Sequence, residues 1–152
     1  MKYVSTRGRA PALGFADTLL AGLARDGGLY VPQTFPKLSR AHMRALQGRS
    51  YADIAARVTR PFVGSAIATK DFERIVAESY AGFDHAAVAP LMQIGPDRWV
   101  MELFHGPTLA FKDYALQLVG RLFDHVLKKR RRRAVIVGAT SCMGGAVTEA
   151  AV

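Results

Sequence analysis

Apolar residues in the first half of the chain return at intervals of three and four, the spacing that lines one face of an α-helix. Leu19, Leu20 and Leu23, with Ala16 and Ala24, predict a helix beginning near Phe15. Asp26-Gly27-Gly28 is expected to stop it at a left-handed glycine. Ser39 and Ser50 stand where N-caps belong, before Met43 and Leu46 in one stretch and Ile54, Ala55 and Val58 in the next, and Pro61 is expected to end the second. A further helix is predicted over 70–80, with Phe72, Ile75, Val76 and Ser79 on one face and Lys70, Glu73 and Arg74 turned outward. Before these, Tyr3-Val4-Ser5-Thr6-Arg7-Gly8 reads as a short strand, and Leu29-Tyr30-Val31-Pro32 as an extended exit.

The pattern changes near Phe83. Two extended runs, 89–94 and 98–104, flank Gly95-Pro96-Asp97 and predict a hairpin. After His105-Gly106-Pro107-Thr108, Leu116, Val119, Leu122, Phe123 and Val126 mark a long helix over about 111–129. Ala134-Val135-Ile136-Val137-Gly138 then forms an unbroken apolar run, as in a strand buried on both faces of a parallel sheet, and a glycine-rich turn follows. Helix, buried strand, glycine turn and helix is the rhythm of an α/β fold. The expected organisation is a small helix-rich module over 1–84 and, over 85–152, the truncated start of an α/β domain, because one parallel strand needs neighbours on both edges.

Composition narrows the classes. Of 152 residues 50% are hydrophobic and 22% charged, a mix that can bury a core. The net charge of +9 suggests a nucleic-acid surface until it is located: Lys128-Lys129-Arg130-Arg131-Arg132-Arg133 supplies most of it. That run stands at the end of the long helix, where cations are favoured, and no aromatic residues interleave it for base stacking; a solvated helix end without specific nucleic-acid binding is expected. Cys142 is the single cysteine, so neither an intrachain disulfide nor a cysteine zinc site can form. No stretch reaches the roughly 20 apolar residues of a membrane helix, and no signal-peptide core follows Met1-Lys2-Tyr3; a cytoplasmic protein without a membrane partner is expected.

The candidate chemistry lies in Glu102-Leu103-Phe104-His105-Gly106-Pro107-Thr108-Leu109-Ala110-Phe111-Lys112-Asp113-Tyr114. Lys112 follows an apolar Leu-Ala-Phe and opens a helix, two conditions that favour the neutral amine a carbonyl addition requires. From composition alone, a lysine at a helix start is more often a solvated surface residue. His105 reads either as a proton shuttle or, more simply, as a residue shaping the turn before Pro107. His42, His85 and His125 share no metal-ligand spacing, and no metal site is expected.

The 102–114 segment resembles threonine synthases, in which a phenylalanine-lysine-aspartate follows a histidine-glycine-proline-threonine loop. Tyr3-Val4-Ser5-Thr6-Arg7-Gly8, Asp26-Gly27-Gly28-Leu29-Tyr30-Val31-Pro32, Tyr51-Ala52-Asp53-Ile54-Ala55 and Gly138-Ala139-Thr140-Ser141 are similar to the same family in order and spacing. The resemblance implies a fold-type-II, tryptophan synthase β-like enzyme that converts O-phosphohomoserine and water to threonine and phosphate. It implies pyridoxal 5'-phosphate as cofactor, bound by Lys112 as catalytic Schiff-base lysine, with Thr140, Ser141 and Gly144 in the turn around the substrate's carboxylate. It also implies that residues later in the family's chain hold the cofactor's phosphate and ring nitrogen, so this length alone is expected to be inactive. Thr140-Ser141-Cys142-Met143-Gly144-Gly145 departs from the family's threonine-serine-glycine-aspartate (or asparagine)-threonine-glycine, and Met143 offers no polar side chain there. Cys142 has no role in the family and is read as a substitution. The competing readings are a non-catalytic structural or regulatory remnant and a basic nucleic-acid-binding module.

Overall fold

A computed structural model describes residues 1–135 of the chain. Of the strand expected over 134–138, residues 136–138 fall outside them, and Ala134 and Val135 belong to no regular element. The described part is mixed helix and sheet, and the chain divides into two compact units: Met1–Arg49 with Asp53–Glu73, and Ser50–Ala52 with Arg74–Val152.

The first unit is organised by β1 (Lys2–Ser5), which pairs antiparallel with β2 (Leu13–Gly14) on one edge and β3 (Tyr30–Pro32) on the other. Tyr3 stands opposite both Leu13 and Pro32. Tyr3 and Ser5 are buried while Val4 is not, as the two-residue period of a strand requires. Helix α1 (Phe15–Ala21) ends earlier than the sequence predicts, at Gly22, whose φ of 64° only glycine adopts without strain. The expected stop, Asp26-Gly27-Gly28, builds a separate turn. There the Asp26 carboxylate accepts from the Ser5 hydroxyl at 2.7 Å and from the backbone N–H groups of Arg9, Ala10 and Gly28. These bonds, led by that from Ser5, hold Asp26 down to about 2 although its partial burial opposes them.

Ser39 caps α2 (Arg40–Ala45) by accepting from the His42 N–H at 3.2 Å, and α3 (Tyr51–Val63) begins directly after Ser50. The helix does not stop before Pro61 but carries it in its last turn. A proline there removes one donor near an end where carbonyls already lack partners, so other groups can close the turn. The Tyr3 hydroxyl donates to the Phe62 carbonyl at 2.7 Å, and the Arg60 guanidinium donates to the Ile67 carbonyl at 2.9 Å beyond a short 3₁₀ turn, Gly64–Ala66. Ala56, Val63, Ile67 and Phe72 are buried in this unit, with Arg60 lying 5.6 Å from the centre of the Phe72 ring.

Helix α4 (Thr69–Tyr80) carries the predicted stripe: Phe72, Ile75, Val76 and Ser79 are all buried, and Lys70, Glu73 and Arg74 are exposed. Each large apolar member contributes about 1.5–3 kcal/mol on burial. The second unit continues with the antiparallel hairpin β4 (Leu91–Gly95) and β5 (Arg98–Met101), turned at Pro96-Asp97 with a bulge between Gln93 and Gly95. Helix α5 (Asp113–Arg130) follows. Its buried stripe is Asp113, Gln117, Leu122 and Val126, so the end nearer the loop is polar and the far end apolar. Tyr51, Tyr80, Phe83 and Tyr114 stack edge to face or tilted with centroids 4.9–5.6 Å apart. The Tyr80 hydroxyl donates to the Tyr114 carbonyl at 3.0 Å, and burial, with a smaller effect from Tyr51, pushes it up to about 12. The basic run is exposed, Lys128 pairs with Asp124 at 2.7 Å, and Arg131 caps the helix in the left-handed region.

Candidate functional site

The segment between β5 and α5 is held by its own side chains. Asp113, the first residue of α5, is fully buried, an unusual place for a carboxylate unless its oxygens are satisfied. They are: Oδ2 accepts from the Thr108 N–H at 2.9 Å and Oδ1 from the Thr108 hydroxyl at 2.8 Å. The charge also sits in the first turn, where the helix dipole favours it. Gly106 lies so close that a Cβ there would meet Asp113 at 2.5 Å, so the clamp closes only around a glycine.

Between clamp and helix, Leu109 takes a φ of 59° while its N–H donates to the Gly106 carbonyl at 3.0 Å. A left-handed non-glycine residue is uncommon and concentrates where surrounding structure over-determines the backbone, often at functional sites. Val88 is a second such residue, at a φ of 57°, and its carbonyl accepts from the Tyr114 hydroxyl at 2.5 Å. Burial raises that hydroxyl above the ordinary tyrosine range, with smaller effects from Tyr51 and Asp113.

Lys112 occupies the N-cap position of α5, with φ −66° and ψ −20°, and its carbonyl already accepts from the Leu116 N–H at 2.9 Å. Its backbone is therefore fixed by the helix on one side and by the Asp113–Thr108 clamp on the other. The side chain is exposed, and its amine has no hydrogen bond or ion pair among the described residues. The apolar approach expected from the sequence does not enclose it: Ala110 is buried, but Leu109 and Phe111 stand 67% and 61% exposed.

His105 is engaged in shaping the loop. Its Nε2 donates to Glu102 Oε2 at 2.8 Å, its carbonyl accepts from the Asp84 N–H at 2.9 Å, and its ring stacks on Phe104 and His85. Thr140, Ser141 and Gly144, the expected substrate turn, lie outside the described residues, as does Cys142. Among the described residues no group of three or more His, Cys, Asp or Glu could hold a metal ion, and no helix is long and apolar enough to cross a membrane. Sequence reading missed Gly106, Thr108 and Asp113 as a unit. The available signal was a threonine five residues before an aspartate at a helix start, a short-range pairing that propensity rules do not single out.

The mixed helix-and-sheet chain superimposes on about a third of the length of a solved α/β enzyme. A profile described as threonine synthase N terminus matches residues 2–80. The chain belongs to the threonine synthase family. It is 60% identical to threonine synthase of Pseudomonas aeruginosa over 141 residues, covering 93% of this chain and 30% of that protein. It also superimposes on the crystal structure of pyridoxal-phosphate-bound threonine synthase from Brucella melitensis with a TM-score of 0.96 at 58% identity, covering 99% of this chain and 33% of that one. The yeast threonine synthase structure gives a TM-score of 0.79 at 37% identity, over 85% and 27% of the respective chains. The chain thus spans about a third of the length of the relatives it matches.

Proposed function

We propose that the chain is the amino-terminal third of a pyridoxal-phosphate-dependent threonine synthase, the enzyme that converts O-phosphohomoserine and water to threonine and phosphate, and that Lys112 is its cofactor-binding and catalytic lysine. The observation that carries this reading is a primary amine without a partner among the described residues, on a backbone fixed by the buried Asp113–Thr108 clamp at the mouth of α5. The donor chemistry fits: the cofactor's aldehyde needs one free lysine on a rigid element. Bound there, pyridoxal phosphate would supply an electron sink for carbanionic character beside the substrate's nitrogen.

The chain's own contribution is positioning. Asp113 accepts both donors of Thr108 and so locks the loop in front of Lys112, while the Glu102–His105 bond holds the entry to that loop. Thr140, Ser141 and Gly144 are proposed, on family resemblance, to hold the substrate's carboxylate. Division at about residue 84 into an amino-terminal module and the start of the catalytic domain belongs to the same proposal, supported by the end of the family profile at residue 80. The protein is proposed to be cytoplasmic, with no specific nucleic-acid partner.

The 152-residue chain by itself is proposed to be inactive. Catalysis on such a cofactor needs an enclosure that excludes water, and Leu109 and Phe111 beside Lys112 stand more than half exposed. Incubation with pyridoxal phosphate, reduction with borohydride and peptide mapping is expected to place the label mainly on Lys112 and to lose it in Lys112→Ala. Label spread evenly over the exposed lysines would remove the site assignment. Phosphate release from O-phosphohomoserine by the isolated chain, abolished in Lys112→Ala, would refute its inactivity.

A further inference from the structure

The first unit contains a cavity of about 350 Å³ formed between the segment around α2 and the outer face of α3. Leu46 and Val58 give it an apolar lining, while Lys37, His42, Arg57 and Arg60 stand around it, and among the described residues no aspartate or glutamate does. Its size falls at the lower end of small-molecule sites, which combine an apolar lining with a few placed polar groups.

The charges are arranged rather than scattered. Arg57 and Arg60 are three residues apart on α3 and therefore share a face. Arg60 directs its guanidinium to the Ile67 carbonyl and the Phe72 ring, neither of which lines the cavity, and this leaves Lys37 and Arg57 as the cations available to a bound anion. Lys37 and Arg57 make no side-chain hydrogen bond or ion pair among the described residues, and the same holds for the His42 ring. Like charges around one partly enclosed space repel, and an anion placed among them removes that repulsion and gains charge-assisted bonds. A wholly hydrated ion would leave Leu46 and Val58 unused, whereas a neutral apolar molecule would leave the cations unpaired.

We propose that this cavity binds a small organic anion: an apolar body bearing one phosphate or carboxylate group. The site shares no residue with the Lys112 segment and does not depend on the function proposed for it.

Hexyl phosphate and hexanoate, titrated into the 152-residue chain and followed by amide NMR shifts, test this directly. At least one is expected to produce saturable shifts at the lining residues, and which of the two binds more tightly identifies the headgroup. Inorganic phosphate and hexanol should each bind at least about tenfold more weakly, and the Lys37→Gln/Arg57→Gln double variant should lose about tenfold or more in affinity. Both side chains are exposed, so the variant should keep the unfolding midpoint of the parent, and Lys112→Ala should bind as the parent does. The proposal is overturned if neither anion saturates, if hexanol binds as well as hexanoate, if the double variant is folded and binds unchanged, or if shifts are confined to residues 128–133.

Discussion

Asp26 and Asp113 carry the same side chain into different situations. Asp26 is partly exposed and gathers four donors from three segments, while Asp113 is fully buried and satisfied by one threonine. The bonds to Asp26, first that from Ser5, favour its charged form and lower it from the ordinary value near 4 to about 2. A carboxylate lowered on folding contributes stability that is fully present above its unfolded value and is lost as pH falls through the folded one. Thermal midpoints should therefore drop between about pH 4 and about pH 2 more steeply in the parent chain than in Asp26→Asn. Equal slopes in the two proteins would show that the carboxylate does not stabilise the fold. The aspartate was legible in the sequence as part of a turn. Its donors, up to 21 residues away in the chain, were not, because nothing local announces a bond to Ser5.

Among the elements, those whose apolar faces are regular follow the sequence closely. The period in α4 placed Phe72, Ile75, Val76 and Ser79 together, and all are buried. Replacing Phe72 by alanine removes a ring that is 1% exposed, together with its contact to Arg60, and should cost about 3–5 kcal/mol in denaturant unfolding. A loss below about 1 kcal/mol would mean that the site collapses around the missing ring or is already open. The boundaries were harder. Gly22 and Gly27 both have positive φ and both can end a helix, so local propensity could not choose. The choice fell to Asp26, whose bonds commit residues 26–28 to the turn beside β1. At Pro61 the missing N–H argued for a stop, but Arg60 bonds across the following 3₁₀ turn and Tyr3 supplies a bond to the last turn from far outside any local window.

On the scale of the whole molecule, the described chain is basic and displays apolar surface on one hairpin. Leu91, Met92, Ile94, Trp99, Val100 and Met101 are each at least 45% exposed, on both faces of the β4–β5 ribbon. Contiguous exposure of this kind marks a surface that meets another. Trp99 is the only tryptophan, so it reports on this ribbon alone. Its fluorescence should be strongly quenched by iodide and should emit as a largely hydrated indole, while an emission blue-shifted and protected from iodide would show that the ribbon is covered. The sequence by itself determined the strands of the hairpin, the course of α4 and α5 and the identity of Lys112 as the candidate residue, because period and motif are local properties. Only the tertiary structure decided that Asp113 clamps the loop before that lysine, that Leu109 and Phe111 stand exposed beside it, and that cations from two segments surround one cavity. Burial and hydrogen-bond partnership depend on which distant groups share a neighbourhood, and a linear pattern does not encode that distance.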